Sequence, residues 1–456
     1  MGRRIGPAMN LHVTFDANLQ QRDILHRAAA LLQTGNGDQA RQTLLALRAE
    51  HVHDSEQAAI AVNMLLDVNL LDAALAMALR VRELDRENPE CAELVAECRF
   101  LIDRPTIWQR ESRDIRAALE RVNTLASARR RVTTNPQVHI LCNLDSIGGS
   151  ERRALNLYSV LRAHMPTTLW STAPAHAAHR ERAPIRLIHG EDAPSSGTLV
   201  LVGTYYDIGN LLECGRFERV VICHNLIDQN QNLLWRLNQI SNNPAHPSVE
   251  LTFPSKMFGE LLGLPGAAEY SPVDFAHFQR RTHASAQDIA VGRHSRAYAY
   301  KFHYNDAAFF RQAIAHGYRV RLLGGNAIER VFAADKGKRP ELIAEGAVDA
   351  RDFLEHLDVF VYRKHPQWLE TGGAVILEAM AMELPVIIFP EQCGCTELIV
   401  HGENGFLVAS ETEAFEILAR LSAEPDLRRR IGSAARQSLV DLQRRQEPEL
   451  LARYRG

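Results

Sequence analysis

Trp368-Leu-Glu-Thr-Gly-Gly-Ala-Val-Ile-Leu-Glu-Ala-Met-Ala-Met-Glu-Leu-Pro-Val-Ile387 is the stretch on which the reading of this 456-residue chain turns. It follows Val359-Phe-Val-Tyr362, an apolar run of the kind that forms a buried strand. Gly372 and Gly373 then open an apolar helix, and Pro385 stops it before a second buried strand. Glu370 stands just before the helix and Glu378 inside it. Thr371, Gly372 and Gly373 present backbone amides at the helix start, where no intrahelical acceptor exists. Two carboxylates around an amide cluster suit a molecule with hydroxyls at both ends and phosphates in the middle. The alternatives are a helix cap for Glu370 and a surface charge for Glu378. Glu378 lies between Leu377 and Ala379, where a charge wants a reason.

Outward from this stretch, short apolar runs alternate with helical segments. VHILCNL, TTLWST, IRLIHG, TLVLVGTYY, RVVICHNL and VELTF each fit a buried strand between residues 137 and 253. After Asp274 the pattern restarts with DIAVGR, YRVRLLGG, ELIAEG, VFVY, PVIIF and GFLV. Two successive sets of parallel βα units predict an α/β fold of two Rossmann-like domains facing a cleft, at 133–275 and 276–430. Residues 431–456 read as terminal helices, which in a two-domain fold of this kind often cross back to the first domain.

Residues 1–132 read as an all-helical accessory domain of loosely hairpin-like segments, in the style of tetratricopeptide arrays. Breaks are expected at Gly35-Asn36-Gly37, with Asp38 as a cap, and at Asn88-Pro89. Arg110, Arg113, Arg116, Arg121, Arg129, Arg130 and Arg131 follow. They form either a solvated face and linker or a patch for anionic lipid or a phosphorylated acceptor, with Asp114 and Glu120 diluting the charge.

Bulk composition excludes little. Net charge is −3, so nothing global argues for a nucleic-acid partner. Seven scattered cysteines, an odd number, fit reduced thiols in the cytoplasm, and Cys393-Gly-Cys395 is too tight for an ordinary metal pair. Neither a signal peptide nor a membrane span is legible, so membrane contact is expected to be peripheral at most.

Three further places carry candidate chemistry. Gly148 and Gly149 follow the first strand and open a helix, an arrangement that is either a plain turn or an anion site at the helix N-terminus. His224 ends a strand of the first α/β domain, where such sheets line a ligand crevice; the alternative is a structural histidine. Arg293, Arg296 and Lys301 form a basic loop after another strand. No Asp-x-Asp or His-Glu-x-x-His occurs, and Glu50-His-Val-His53 lies in the helical region without a partner motif.

Glu370 to Glu378 resembles the E-x7-E motif of retaining GT-B glycosyltransferases of family 4, and AMAMELPVI resembles its usual continuation. Cys395-Thr-Glu-Leu-Ile-Val-His-Gly-Glu-Asn-Gly-Phe-Leu-Val408 is similar to the family's ending, and Gly148-Gly-Ser-Glu-Arg-Arg-Ala-Leu-Asn-Leu157 to its opening. Tyr270, Pro272, Val273, Asp274 and Phe275 occupy the place of its interdomain turn. The resemblance spans residues 137–430 and leaves the helical N-terminus unexplained. It implies that Glu370 touches the donor hexose, Glu378 the ribose, and the amides of Thr371, Gly372 and Gly373 the diphosphate. His224 would lie near the donor sugar. Arg293 and Lys301 would be the diphosphate cations, although their spacing is longer than usual and Arg296 restores the short gap. The expected activity is metal-independent, retaining transfer of a hexosyl unit from a UDP- or GDP-sugar to a glycan, lipid-linked or protein acceptor, in bacterial surface glycan or glycoconjugate synthesis. No cofactor is expected, and the N-terminal helices would offer a surface for a protein partner. The alternatives on the same fold are a sugar-nucleotide epimerase and a non-catalytic scaffold.

Overall fold

A computed structural model describes residues 8–127, 137–189, 192–281, 289–391 and 393–455, with side chains from residue 19 onward. Arg129, Arg130 and Arg131 of the basic stretch lie outside the described residues. The protein has two parallel sheets of seven and six strands with helices between the strands, and a helical N-terminal region.

Seven parallel strands form the first sheet: β1 (Val138–Cys142), β2 (Thr167–Ser171), β3 (Ile185–Leu187), β4 (Ser196–Val202), β5 (Arg216–Cys223), β6 (Ser248–Phe253) and β7 (Ala267–Ala268). Their order is β3-β2-β1-β4-β5-β6-β7. Direction of travel along the sheet reverses at β1, which pairs with both β2 and β4. The C-terminal end of β1 is therefore a switch point, where open α/β sheets form their ligand crevice. The second sheet is built from β8 (Ala290–His294), β9 (Arg319–Leu323), β10 (Glu341–Ile343), β11 (Val359–Tyr362), β12 (Val386–Ile388) and β13 (Phe406–Leu407). In it β8, β11, β12 and β13 pair successively in parallel, as do β9 and β10.

The chain divides into two compact units. One comprises Met1–Thr106, Ala297–Ala344 and Arg363–Trp368; the other comprises Ile107–Arg296, Glu345–Tyr362 and Leu369–Gly456. In the first, helices Ser55–Asp67 and Leu71–Leu84 share a core of small and branched side chains, among them Ala58, Val62, Leu65, Ala74 and Ala78. Alanine at these positions lets helix backbones approach closely. The first helix ends at Gln33, and Gly35 turns the chain with φ +69°, which a side chain would resist. Asp38 lies inside the first turn of the next helix rather than capping it; Asn36 holds the cap position and makes no side-chain cap bond. Pro89 opens the long helix Pro89–Ser127, where a missing N–H costs nothing.

In the second unit the first sheet has an apolar core on each face. Ile115, Leu119 and Val122 of the long helix pack with Leu199, Leu201, Phe217 and Ile222. Val138, Ile140, Val200 and Val221 belong to the opposite core, together with Leu450 and Tyr454 of the final helix, Pro425–Arg455. That final helix is fastened by buried charge. Arg153 and Glu269, each 2% exposed, pair at 3.0 Å, and the Tyr454 hydroxyl donates to Glu269 Oε1 at 2.9 Å. Arg453 donates to Glu269 Oε2 at 2.9 Å. A buried ion pair is tolerable only when its remaining lone pairs are used, as they are here.

Tyr454→Ala removes an aromatic ring from the core and a donor from Glu269. Urea unfolding is expected to show a loss of about 3–5 kcal/mol. An unchanged midpoint would mean that the last helix is not anchored by this residue.

Candidate functional site

All but one of the expected site residues fall in the second unit, on strands of the two sheets or on the segments and helices that follow them. The segment after β1 reaches Gly148 and the helix Gly149–Leu161. Space at Gly148 is tight, since a Cβ there would run into the Arg296 guanidinium. Three consecutive charged residues, Glu151, Arg152 and Arg153, occupy the first turn and go to three different partners.

Glu151 is 2% exposed and accepts hydrogen bonds from Ser146 Oγ and Tyr205 Oη, both at 3.1 Å. Arg296 lies 3.4 Å from its Oε2, and the half-exposed Arg296 side chain also donates from Nε to the Ile147 carbonyl at 3.2 Å. Arg153 points into the sheet and donates to Asn225 Oδ1 at 2.8 Å, Thr252 Oγ1 at 3.0 Å and Glu269 Oε1 at 3.0 Å. Arg152 pairs with Glu378.

Glu378 sits in the middle of helix Ala374–Ala381 and is 5% exposed, so it is not a surface charge. Its Oε1 accepts from Arg152 Nη1 and its Oε2 from His294 Nε2 at 2.7 Å. Burial alone raises a carboxyl pKa; here the Arg152 charge and the His294 hydrogen bond prevail and hold Glu378 at about 2. Burial lowers the His294 pKa. The pair therefore consists of an ionised carboxylate and a neutral imidazole donating Nε2–H, with Arg152 as the counter-charge.

Glu370 is held differently. Its Oε2 accepts from the Tyr362 hydroxyl at 2.6 Å, at the end of β11, and its Oε1 accepts from the Gly373 amide at 3.2 Å. It thus holds the N–H of Gly373, the cap residue of helix Ala374–Ala381, and that amide is not free. Gly373 adopts φ +62°, and a Cβ there would press on Cys395, so glycine is required by both backbone and space. Between the two carboxylates, Thr371 fastens the turn to the first sheet. Its Oγ1 donates to the Asn225 carbonyl at 2.6 Å, and its own carbonyl accepts from Ser255 Oγ at 2.6 Å. Gly372 passes so close to Pro254 that a Cβ would lie 2.9 Å from the proline ring.

Arg293 is buried on β8 with its guanidinium 4.6 Å from the Tyr362 ring centroid. Arg296, three residues on, reaches the Gly148 turn instead. Lys301 belongs to the first unit, where its ammonium lies 4.3 Å from the Trp368 ring centroid. His224 is fully buried, stacks on Phe258 and donates from Nε2 to Asn230 Oδ1 at 2.9 Å. Burial pushes its pKa down to about 4, so the ring is neutral near pH 7. Among the described residues its Nδ1 has no partner, which costs about 1–3 kcal/mol for a buried acceptor.

The sequence reading missed Glu151, Arg152, Arg153 and His294. The adjacent Arg152-Arg153 beside Gly148-Gly149 was a visible signal; His294, in an ordinary strand, offered none. Among the described residues, no group of three or more His, Cys, Asp and Glu side chains is arranged to hold a metal ion, and no helix is long and apolar enough to cross a membrane.

Residues 330–438 match the family described as Glycosyl transferases group 1. Among solved structures, the chain is similar to HepE of Anabaena, crystallised with UDP-glucose, at 15% identity over 70% of this chain and 98% of that one, with a TM-score of 0.51. It is likewise similar to a glycosyltransferase from Rickettsia africae ESF-5, at 11% identity over 70% and 99% of the two chains, with a TM-score of 0.51. At such identities the likeness shows the fold, which is GT-B. None of the curated proteins matches the chain.

The Glu378 arrangement has a pH signature. Its folded pKa of about 2 lies below the ordinary 4.5, so its ionised form stabilises the fold above about pH 4.5, and that contribution is lost as pH falls toward 2. Glu378→Gln should flatten the decline of urea-unfolding free energy across this window, by on the order of 3 kcal/mol. Parallel wild-type and variant curves would contradict the pairing.

Proposed function

We propose that this GT-B glycosyltransferase moves a hexosyl unit from a UDP- or GDP-sugar to an acceptor hydroxyl with retention of anomeric configuration and without a metal. Residues 276–430 bind the donor and residues 133–275 the acceptor. One observation carries the reading: two carboxylates of different character flank the Thr371-Gly372-Gly373 turn, itself bonded to the strand ends of the first sheet. Glu370, oriented by Tyr362, accepts from hexose hydroxyls. Glu378 accepts from the ribose hydroxyls.

Both oxygens of Glu378 are already engaged, so ribose binding requires exchange. The ribose hydroxyls take over Oε1 as Arg152 withdraws toward the adjacent diphosphate. The amides at Gly149 and Ser150 and the half-exposed Arg296 beside Gly148 offset phosphate charge. Arg293, buried against Tyr362, supports Glu370 rather than touching the leaving group.

The diphosphate departs from the anomeric carbon as the acceptor hydroxyl attacks from the same face. A departing phosphate oxygen takes the acceptor proton, so no side-chain base is needed. Cations that offset the leaving group act mainly in the transition state, where charge on the bridging oxygen grows. His224 accepts from a hydroxyl of the donor sugar through Nδ1. The acceptor is a glycan, lipid-linked or protein hydroxyl in bacterial surface glycan synthesis at the inner face of the membrane. The helical region is proposed as a protein-binding accessory.

Product NMR should show the anomeric configuration of the donor preserved, and an inverted linkage would overturn the mechanism. Glu370→Ala should lower kcat with a nucleotide-sugar donor by about 10²–10³, the scale of losing one transition-state contact. Arg296→Ala should lower kcat more than it raises donor KM. An enzyme that consumes UDP-GlcNAc at full rate without an acceptor and returns an epimer would be of the other class.

A further inference from the structure

A carboxylate on the long helix Pro89–Ser127 reaches the histidine at the end of β5 through one intermediary. Glu111 Oε2 accepts from Asn230 Nδ2 at 3.0 Å, and its Oε1 accepts from Gln231 Nε2 at 2.7 Å. Asn230, 1% exposed, faces His224 Nε2 at 2.9 Å with its Oδ1. Which way an amide points is ordinarily ambiguous, and so is the tautomer of a histidine. Here the chemistry decides both. An ionised carboxylate only accepts, so the amide nitrogen of Asn230 must face Glu111 and its oxygen must face His224. An oxygen acceptor then requires the ring proton on Nε2. Nδ1 is left as a bare, buried acceptor.

The neighbourhood of His224 leaves it little freedom to choose otherwise. Its ring stacks on Phe258 at 5.6 Å with 25° between planes, and its backbone N–H donates to the Thr252 carbonyl at 2.9 Å. The next residue, Asn225, accepts through its carbonyl from Thr371, so the strand end carrying His224 is tied to the turn between Glu370 and Gly372. A ring held in this one tautomer keeps Nδ1 as an acceptor and never as a donor. A hydroxyl can donate to such a nitrogen. A bare phosphate oxygen cannot bind there, because two acceptors would face one another.

We propose that Glu111 is a positioning residue which, through Asn230, fixes His224 as the Nε2–H tautomer and reserves Nδ1 as a hydroxyl acceptor for the donor sugar. The role of Nδ1 rests on the donor-sugar reading of His224 given above; the tautomer assignment does not. Glu111 lies on the part of the long helix that belongs to the second unit, together with Asn230 and His224.

The test uses full-length protein labelled with 15N in the histidine rings, the His224 signals being assigned by their loss in His224→Gln. Wild type should show Nε2 protonated and Nδ1 bare. Glu111→Leu frees the Asn230 amide to turn over, and His224 should then populate both tautomers. Glu111→Gln should restore the single tautomer, since its amide oxygen accepts from Asn230 while the exposed Gln231 side chain reorients. With a nucleotide-sugar donor, Glu111→Leu should lose about tenfold in kcat with little change in donor KM, and Glu111→Gln should recover most of it. A single Nε2–H tautomer persisting in Glu111→Leu overturns the proposal, whatever the activity. If His224→Ala instead turns over donor like wild type, the donor-sugar reading of His224 fails, while the tautomer comparison still decides the role of Glu111.

Discussion

A carboxylate buried in the middle of an apolar helix is the constraint from which the site follows. Glu378 lies among Leu377, Ala379 and Met380, all buried, and an unpaired charge there would cost several kcal/mol. Two groups offset the cost. Arg152 comes from the first turn after the Gly148-Gly149 segment, and His294 comes from the end of β8. The need to neutralise one side chain therefore draws together the opening helix of the first sheet and the leading strand of the second.

The neighbouring turn is held by neutral bonds rather than by charge. Thr371 and Ser255 link it to the ends of β5 and β6, and close approach at Gly372 and Gly373 leaves no room for side chains. Position at this turn is thus set by backbone packing, while Glu378 and Arg152 are held to one another by charge. Arg153 does the opposite of Arg152, its neighbour in sequence. It is committed to Asn225, Thr252 and Glu269 and ties the same helix to the sheet and to the C-terminal helix.

Much of this was legible in the sequence. Apolar runs separated by helical segments gave both parallel sheets, because strands covered on both faces leave a continuous hydrophobic record. The E-x7-E spacing, the glycines and Pro385 gave the helix Ala374–Ala381 and its flanking strands. What the sequence could not show was pairing across the fold. Nothing in the order of residues reveals that Arg152 meets Glu378 while Arg153 meets Glu269, since adjacent residues on a helix diverge by about 100°. His294 sits in a run indistinguishable from any buried strand. Arg293 and Arg296 were left as alternatives by spacing; the first lies beneath Tyr362 and the second beside Gly148.

The central claim is that Glu378 receives the ribose hydroxyls of a nucleoside diphosphate. Calorimetric titration of wild type and Glu378→Ala with UDP and GDP, each compared with its 2′,3′-dideoxy form, tests it by a double cycle. The account predicts that removing the two hydroxyls weakens wild-type binding tenfold or more for the nucleotide that binds, about the 1.5–3 kcal/mol of hydrogen bonds to a charged group. It predicts that the same removal has no effect in the variant. An equal penalty in both proteins would place the ribose elsewhere and contradict the account.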